Sequence, residues 1–439
     1  MPPPRKSRPP APPSASRACA LSALDAVLRK GRHLAESLDR QTAFAAMTGR
    51  DRAFARLLLL TTLRRLGQID SAIDGMLEKP LPARRAPVRD ILRLGAAQLL
   101  FLGTPAHAAV DGAVALTAKS RHAALKGLVN ALLRRLARDG AALLGRQDAA
   151  RLNCSDWLWQ SWSDCYGEQC CRAIAGAHLA EPPTDLSVKQ AAPAWAARLG
   201  AELMAGGTLR LRRAGAVEAL DGYEEGAWWV QDIAAALPAV LLGPVSGQHI
   251  IEIGAAPGGK TAQLAAAGAH VRALDRSPAR LARLQHNLDR LGLTAEIIEA
   301  NGETWRPKDL ADAVLLDAPC SATGTIRRHP DIMWRRQAKD VAELAARQAH
   351  LLEAALEMVK PGGLLVYAVC SLEPAEGPEQ IEKFLASGGA AERVAIAASD
   401  INGRAEALTP AGDLRTLPCH LAAAGGMDGF YAARLRRTF

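Results

Sequence analysis

Two short stretches of this 439-residue chain close an apolar run with a cysteine and a serine: AVLLDAPCS, ending in Cys320 and Ser321, and LLVYAVCS, ending in Cys370 and Ser371. Thiolates are strong nucleophiles, and covalent addition splits one hard step into easier ones. Methylation at C5 of a pyrimidine needs such help, because C5 is a poor nucleophile on its own. A thiolate added at C6 turns C5 into an enamine-type nucleophile. The C5 proton must then leave and the thiolate must be expelled, a task for a second group near C5. A carboxyl group at N3 can hold the base and stabilise charge as the thiolate adds. Asp317, Cys320 and Cys370 supply one such set, without saying which thiol attacks. Taken singly, either cysteine reads more simply as a small apolar core residue. As a pair at the same edge of one cleft, they read as chemistry.

The ligand of that cleft is written in EIGAAPGGKT, Glu252 to Thr261. The stretch fits the phosphate-binding pattern G-x-x-x-x-G-K-[ST], and AVLLDA could pass for the strand and Asp that hold magnesium in a P-loop NTPase. Three features oppose that reading. Pro257 removes an N–H from a cradle built of N–H groups. The next apolar run ends in Asp275, about twenty residues past the loop, where nucleoside-binding sheets keep the acid that reads a ribose hydroxyl. An NTPase also leaves both cysteines idle. The alternative ligand is S-adenosylmethionine, with its ribose on Asp275. Its amino-acid end would lie over Gly254, Ala255, Ala256, Pro257, Gly258 and Gly259, where absent side chains permit close approach.

These residues need a sheet to position them. From His249 onward, HIIEI, HVRAL, AEIIEA, AVLLDA and LLVYAV are short β-branched runs, with helical stretches such as PARLARLQHNLDRLG between several of them. That rhythm predicts a parallel, doubly wound sheet with its cleft at the carboxyl ends of the strands. Upstream, Leu21, Leu24, Val27 and Leu28, then Leu57 to Leu66, then Ile91 to Leu100 recur at helical spacing with prolines between the segments. KGLVNALLRRLAR, Lys126 to Arg138, is amphipathic and basic; it is either a solvated face or an RNA contact. DLSVK and TLRLRR alternate as strands around the helix AWAARLGAEL. The expected organisation is a basic, proline-rich disordered tail at 1–15, a helical domain at 16–145, a small α+β domain at 150–235 and an α/β Rossmann-like domain at 236–439.

Composition narrows the class. The net charge is +9, from 54 Lys and Arg against 45 Asp and Glu, which favours a polyanionic partner. Eight cysteines are too few for a disulfide scaffold in a chain this long. Cys165, Cys170 and Cys171 are expected on one helix as buried apolar residues rather than zinc ligands. No secretory h-region and no membrane-length apolar run is present, so a soluble cytoplasmic protein with no membrane or metal partner is expected.

The motifs GAAPGGKT, LDAPCSATG and YAVCSLEP resemble the RNA 5-methylcytosine methyltransferases of the Nol1/Nop2/Sun group. The helical N-terminus is similar to the NusB RNA-binding domain, and GMDGFYAARLRR, Gly426 to Arg437, extends the likeness to the C-terminus. The resemblance implies a class I methyltransferase domain behind a NusB-like one; a monomer is expected. It implies S-adenosylmethionine as cofactor and one cytosine of small-subunit (16S) ribosomal RNA as substrate. It makes Cys370 the nucleophile, Cys320 the group that assists release and Asp317 the acid that contacts the base. Lys260 lines the same pocket. DAPCS also resembles the nucleophile motif of DNA cytosine-5 methyltransferases, but those enzymes do not use a second Cys-Ser. Four positions depart from the family pattern: Gly254 where a Cys is usual, Asn301 where an acid is usual, Val369 before Cys370, and Pro374-Ala375-Glu376-Gly377 for Pro-Glu-Glu-Asn. Asn301 retains the ability to bond an adenine edge. Arg327, Arg328 and His329 are expected to grip RNA phosphates or flank a flipped base, and Asp428 and Phe430 to be structural. The competing non-enzyme reading is an RNA-binding assembly or antitermination factor that keeps an inactive methyltransferase fold.

Overall fold

The computed structural model describes residues 14–388 and 390–439. The tail expected at 1–15 lies almost wholly outside the described residues. The chain forms two compact units, one of residues 1–160 and 329–336, the other of 161–328 and 337–439.

The first unit is helical. Its main helices are Ser14–Lys30, Gly49–Arg64, Leu66–Asp74, Ala86–Leu100, Ala106–Ala118 and Lys126–Leu144. The predicted breaks fall where the prolines are: Pro80 and Pro82 lie between two helices, and Pro105 is the N-cap of Ala106–Ala118. Leu24, Leu58, Leu63, Ile69, Leu92, Val129 and Leu133 meet in the core. Gly95 lets two helices approach closely, because a Cβ there would lie 2.6 Å from the Leu133 side chain. Lys126–Leu144 buries Val129, Leu132, Leu133 and Leu136 and leaves Lys126, Arg134 and Arg135 exposed. The segment 329–336, which continues the loop after Cys320, belongs to this unit. There the Trp334 indole N–H donates to the Leu63 carbonyl at 2.8 Å.

The second unit begins with helices and a small antiparallel sheet. The expected single helix for the cysteine cluster is two, Asp156–Tyr166 and Glu168–Ala177, because Gly167 takes a φ of 80° between them. Of the three cysteines only Cys171 is buried, and Cys165 is exposed. The small sheet consists of β1 (Thr184–Val188), β2 (Glu202–Leu203), β3 (Leu209–Leu211) and β4 (Trp228–Val230), in the order β2-β3-β1-β4. The boundary expected at 236 falls inside the helix Ile233–Val240, and both segments around it share one unit.

The large sheet contains β5 (His249–Ile253), β6 (His270–Asp275), β7 (Glu296–Glu299), β8 (Ala311–Asp317), β9 (Val359–Val369), β10 (Ala391–Arg393), β11 (Leu414–Thr416) and β12 (Phe430–Arg437). Its order is β10-β12-β9-β8-β5-β6-β7, with β11 paired to β12. β5 to β9 run parallel to one another, and β12 is antiparallel to β9. The chain order reverses between β5 and β8, where an open α/β sheet forms its ligand crevice. β5, β6, β8 and β9 carry buried residues on both faces, which accounts for their apolar sequences, and β7 at the edge is half-buried.

Candidate active site

Five parallel strands end at one side of the sheet and deliver the site. Gly254 follows β5, Asp275 ends β6, Asn301 follows β7, Asp317 ends β8 and Cys370 follows β9. β8 and β9 are neighbours in register, Asp317 opposite Ala368, so the loops that leave them run side by side. The Cys320 and Cys370 sulfurs consequently lie 3.4 Å apart. The loops are also joined through their backbones: the Gly324 N–H donates to the Cys370 carbonyl at 3.0 Å.

A cavity of about 240 Å³ opens over these strand ends. Its wall includes Gly254, Asp275, Asn301, Asp317, Cys320 and Cys370. Gly254 has a φ of 82°, and a Cβ there would meet the Asp317 carbonyl at 2.3 Å, so in this chain a side chain at 254 would force the two strand ends apart. The remainder of the glycine loop does not line this cavity. Ala255 and Ala256 pack into the core, Pro257 is exposed, and Gly258 and Gly259 lead into the helix Gly259–Ala266. Asn301 is exposed, and its side-chain oxygen accepts from the Glu303 N–H at 3.2 Å.

The charged groups are mutually held. The Lys260 ammonium donates to Asp317 Oδ2 at 2.7 Å and lies 5.4 Å from the centre of the Phe430 ring. Burial opposes the charge on Lys260, but the Asp317 carboxylate outweighs it and holds the ammonium above its ordinary value. A lysine so paired is not free for a nucleotide phosphate, a further point against an NTPase. The hydrogen bond with Cys370 and the burial of the site push the Cys320 thiol well above its ordinary value.

Two features fit an S-adenosylmethionine molecule. Asp275 is buried, with one oxygen accepting from the Ser277 N–H at 3.0 Å. The other oxygen lies 3.0 Å from the Arg280 guanidinium but makes no aligned hydrogen bond, leaving an acceptor for a ribose hydroxyl. The close backbone of Gly254 leaves room against the cavity floor for the amino-acid end.

The sequence reading placed Arg327 and Arg328 on RNA, and the structure corrects this. Arg327 is buried, 3.3 Å from Asp428. Arg328 donates to Asp428 at 3.0 Å and to Pro183 at 3.1 Å, and also pairs with Asp232. Buried charges persist when paired, and here two carboxylates take up both guanidiniums. Burial, then the Asp232 charge, pushes Asp428 up to about 7. His329 is exposed and belongs to the first unit. Missing from the sequence reading were Arg276, Arg280, Arg347 and Leu351 on the cavity wall, and a buried Glu376 behind the cysteines. The signals for Glu376 were the serine after each cysteine and its place in Pro374-Ala375-Glu376-Gly377, where the family's Glu is kept.

Glu252, just beneath the site, is fully buried and accepts from the Thr261 hydroxyl at 2.6 Å. Burial pushes its carboxyl from 4.5 up to about 8. The folded chain therefore keeps a proton that the unfolded chain has released, and stability is lost as pH rises from about 4.5 to about 8. Glu252→Gln removes that dependence. Its melting temperature relative to wild type is expected to rise across this window in thermal unfolding, and a flat difference would refute the assignment.

A parallel sheet with an antiparallel β12, a glycine turn after its first strand and an acid ending its second define a Rossmann-like methyltransferase. Residues 239–436 match the family model described as 16S rRNA methyltransferase RsmB/F, and residues 14–138 match the NusB family. A protein of Salmonella newport (strain SL254), named ribosomal RNA small subunit methyltransferase B, is 37% identical over 390 residues, 84% of this chain and 89% of that protein. The crystal structure of PH0851 superposes with a TM-score of 0.74 at 21% identity, covering 98% of this chain and all of that one. A methyltransferase homologue from Pyrococcus horikoshii gives 0.55 at 26% identity, covering 66% of this chain and 97% of that one. The chain belongs to the RsmB/F methyltransferase family with a NusB-type N-terminal domain, and its cofactor is S-adenosylmethionine. Among the described residues no cluster of three or more His, Cys, Asp or Glu is placed to hold a metal ion, and no helix is long and apolar enough to cross a membrane.

Proposed function

We propose that the chain methylates C5 of one cytosine in small-subunit (16S) ribosomal RNA, in the cytoplasm, through a covalent adduct between Cys370 and C6. The observation that carries this reading is the pair of thiols 3.4 Å apart beside Asp317 on the wall of the cofactor cavity. Gly254, Asp275 and Asn301 would hold S-adenosylmethionine, which supplies an electrophilic methyl group when bound. Cys370, as the thiolate, adds to C6; N3 takes up a proton from solvent as negative charge reaches it, the N3–H is hydrogen-bonded by the Asp317 carboxylate that Lys260 holds, and N3 gives the proton back when the Cys370 sulfur departs. After C5 has been alkylated, the C5 proton leaves to solvent by way of Cys320, whose sulfur takes it up as the thiol proton is released. The electrons of the broken C5–H bond restore the 5,6 double bond, and the Cys370 sulfur departs with the C6–S pair. The mutual hydrogen bond does not distinguish the two thiols; the family resemblance assigns the attack to Cys370 and the release to Cys320. The helical unit, with Lys126, Arg134 and Arg135 exposed, supplies charge for RNA phosphates.

The test incubates the protein with isotopically labelled S-adenosylmethionine and 16S ribosomal RNA, then separates the digested nucleosides by mass spectrometry. Label in 5-methylcytidine is expected. Label in another nucleoside would refute the C5 assignment. Cofactor binding with no transfer to naked RNA or to the small ribosomal particle would favour an assembly or antitermination factor.

A further inference from the structure

A buried carboxyl group outside the chemistry above ties the two cysteine loops together. Glu376 has no solvent exposure and lies in the turn Pro374–Glu376. Its Oε1 accepts from the Ser321 backbone N–H at 2.9 Å and from Gln348 Nε2 at 3.0 Å. Its Oε2 accepts from the Ser371 hydroxyl at 2.6 Å and from the Ser321 hydroxyl. Ser321 and Ser371 directly follow the two cysteines, and their hydroxyls are 3.0 Å apart. Gln348 donates in turn to the Pro319 carbonyl at 2.9 Å, on the other side of Cys320. Four donors thus converge on one carboxyl group, as a fully satisfied buried network requires.

The connections are unequal. The Cys320 loop hangs on Glu376 by the Ser321 N–H, the Ser321 hydroxyl and, through Gln348, the Pro319 carbonyl. The Cys370 loop has one link to Glu376 and other supports besides. Cys370 directly follows the central strand β9, Arg415 donates to the Ser371 carbonyl, and the Ser371 hydroxyl accepts from the Glu373 N–H at 3.0 Å.

We infer that Glu376 is a positioning residue that places the Cys320 thiol for product release through Ser321 and Gln348, while Cys370 keeps the supports it has besides its one link to Glu376. The inference rests on the assignment of attack to Cys370 and release to Cys320. Its consequence is specific: loss of Glu376 impairs release more than attack, so the variant stalls as a covalent protein–RNA adduct. A purely structural carboxyl would lower stability and activity together and trap nothing.

The experiment compares full-length wild type, Cys320→Ala, Glu376→Ala, Glu376→Gln, Gln348→Ala and the double variant Glu376→Ala/Cys370→Ala. Each is incubated with 16S ribosomal RNA and S-adenosylmethionine. Turnover, the KM of each substrate, the melting temperature and the protein in a denaturation-resistant RNA band are measured. Glu376→Ala is expected to lose turnover by on the order of 10²-fold, the effect of a misplacement near 1 Å, with each KM within about twofold of wild type. Its adduct rises toward the Cys320→Ala level and vanishes in the double variant. Glu376→Gln keeps one acceptor oxygen and the side-chain volume, and restores part of the turnover. Should Glu376→Ala fail to fold, Gln348→Ala must show the adduct at a lower level. Folded variants that lose turnover without adduct, or lose none, overturn the inference provided that Cys320→Ala traps RNA. If Cys320→Ala traps none, the assignment of the two thiols has failed first and the positioning role falls with it.

Discussion

Cys320→Ala, expressed in cells that lack the native enzyme, is expected to run on a denaturing gel as a slower band that ribonuclease collapses. In the proposed mechanism attack belongs to Cys370, whose loop directly follows β9. The variant therefore adds to C6 and methylates C5, then stalls where the C5 proton must leave. General acid–base groups contribute about 10² to 10⁴ in rate, so turnover falls by that order while the adduct accumulates. Cys370→Ala gives the opposite result. With no nucleophile the loss reaches on the order of 10⁴-fold or more, and no shifted band forms. Sequencing the RNA in the Cys320→Ala band names the target cytosine. A shifted band with Cys370→Ala alone would reverse the two roles and bring the mechanism closer to that of the DNA cytosine-5 enzymes.

The convergence of these thiols was legible in the sequence because both follow apolar runs that read as parallel strands, and parallel strands end on one side of a sheet. Asp275 was legible for the same reason. The glycine loop was only half legible. Its pattern admitted a phosphate loop, and the structure shows instead that Gly254 is fixed by the Asp317 carbonyl and Lys260 by the Asp317 carboxylate. Arg327 and Arg328 misled because a basic loop and a buried ion pair have the same composition. What distinguishes them is Asp232 and Asp428, 96 and 100 residues away from Arg328. The network around Glu376 was illegible for a related reason. Its partners Ser321, Gln348 and Ser371 lie on separate elements, and no periodicity joins them. The cysteine cluster at 165–171 failed locally, because Gly167 breaks a helix that apolar spacing alone would continue.

Asp317→Asn is expected to lower kcat/KM for RNA by about 10² to 10³-fold, the range for one preorganised electrostatic partner in a reacting site. The carboxylate sits at the mouth of the cavity with its side chain 27% exposed, while Lys260 behind it is 9% exposed. The lysine thus anchors from within and the aspartate faces the cavity, where the proposed mechanism puts the base. The 2.7 Å contact couples them, so each substitution disables the other residue as well. Lys260→Met leaves Asp317 hydrated but unanchored, which predicts a comparable loss in kcat/KM with little loss of fold. Asp317→Asn strands a buried ammonium, which costs about 2 kcal/mol of stability as well. In the double variant Lys260→Met/Asp317→Asn the stranded charge is gone, so stability returns toward wild type while activity falls no further than in the worse single variant. Additive losses in kcat/KM would show that the two side chains act separately, and a near-wild-type Asp317→Asn would remove Asp317 from the chemistry. The cycle also separates this pair from the cysteines: each single variant should still form the adduct slowly when Cys320 is replaced, because the nucleophile remains and only the stabilisation of the ring is weakened.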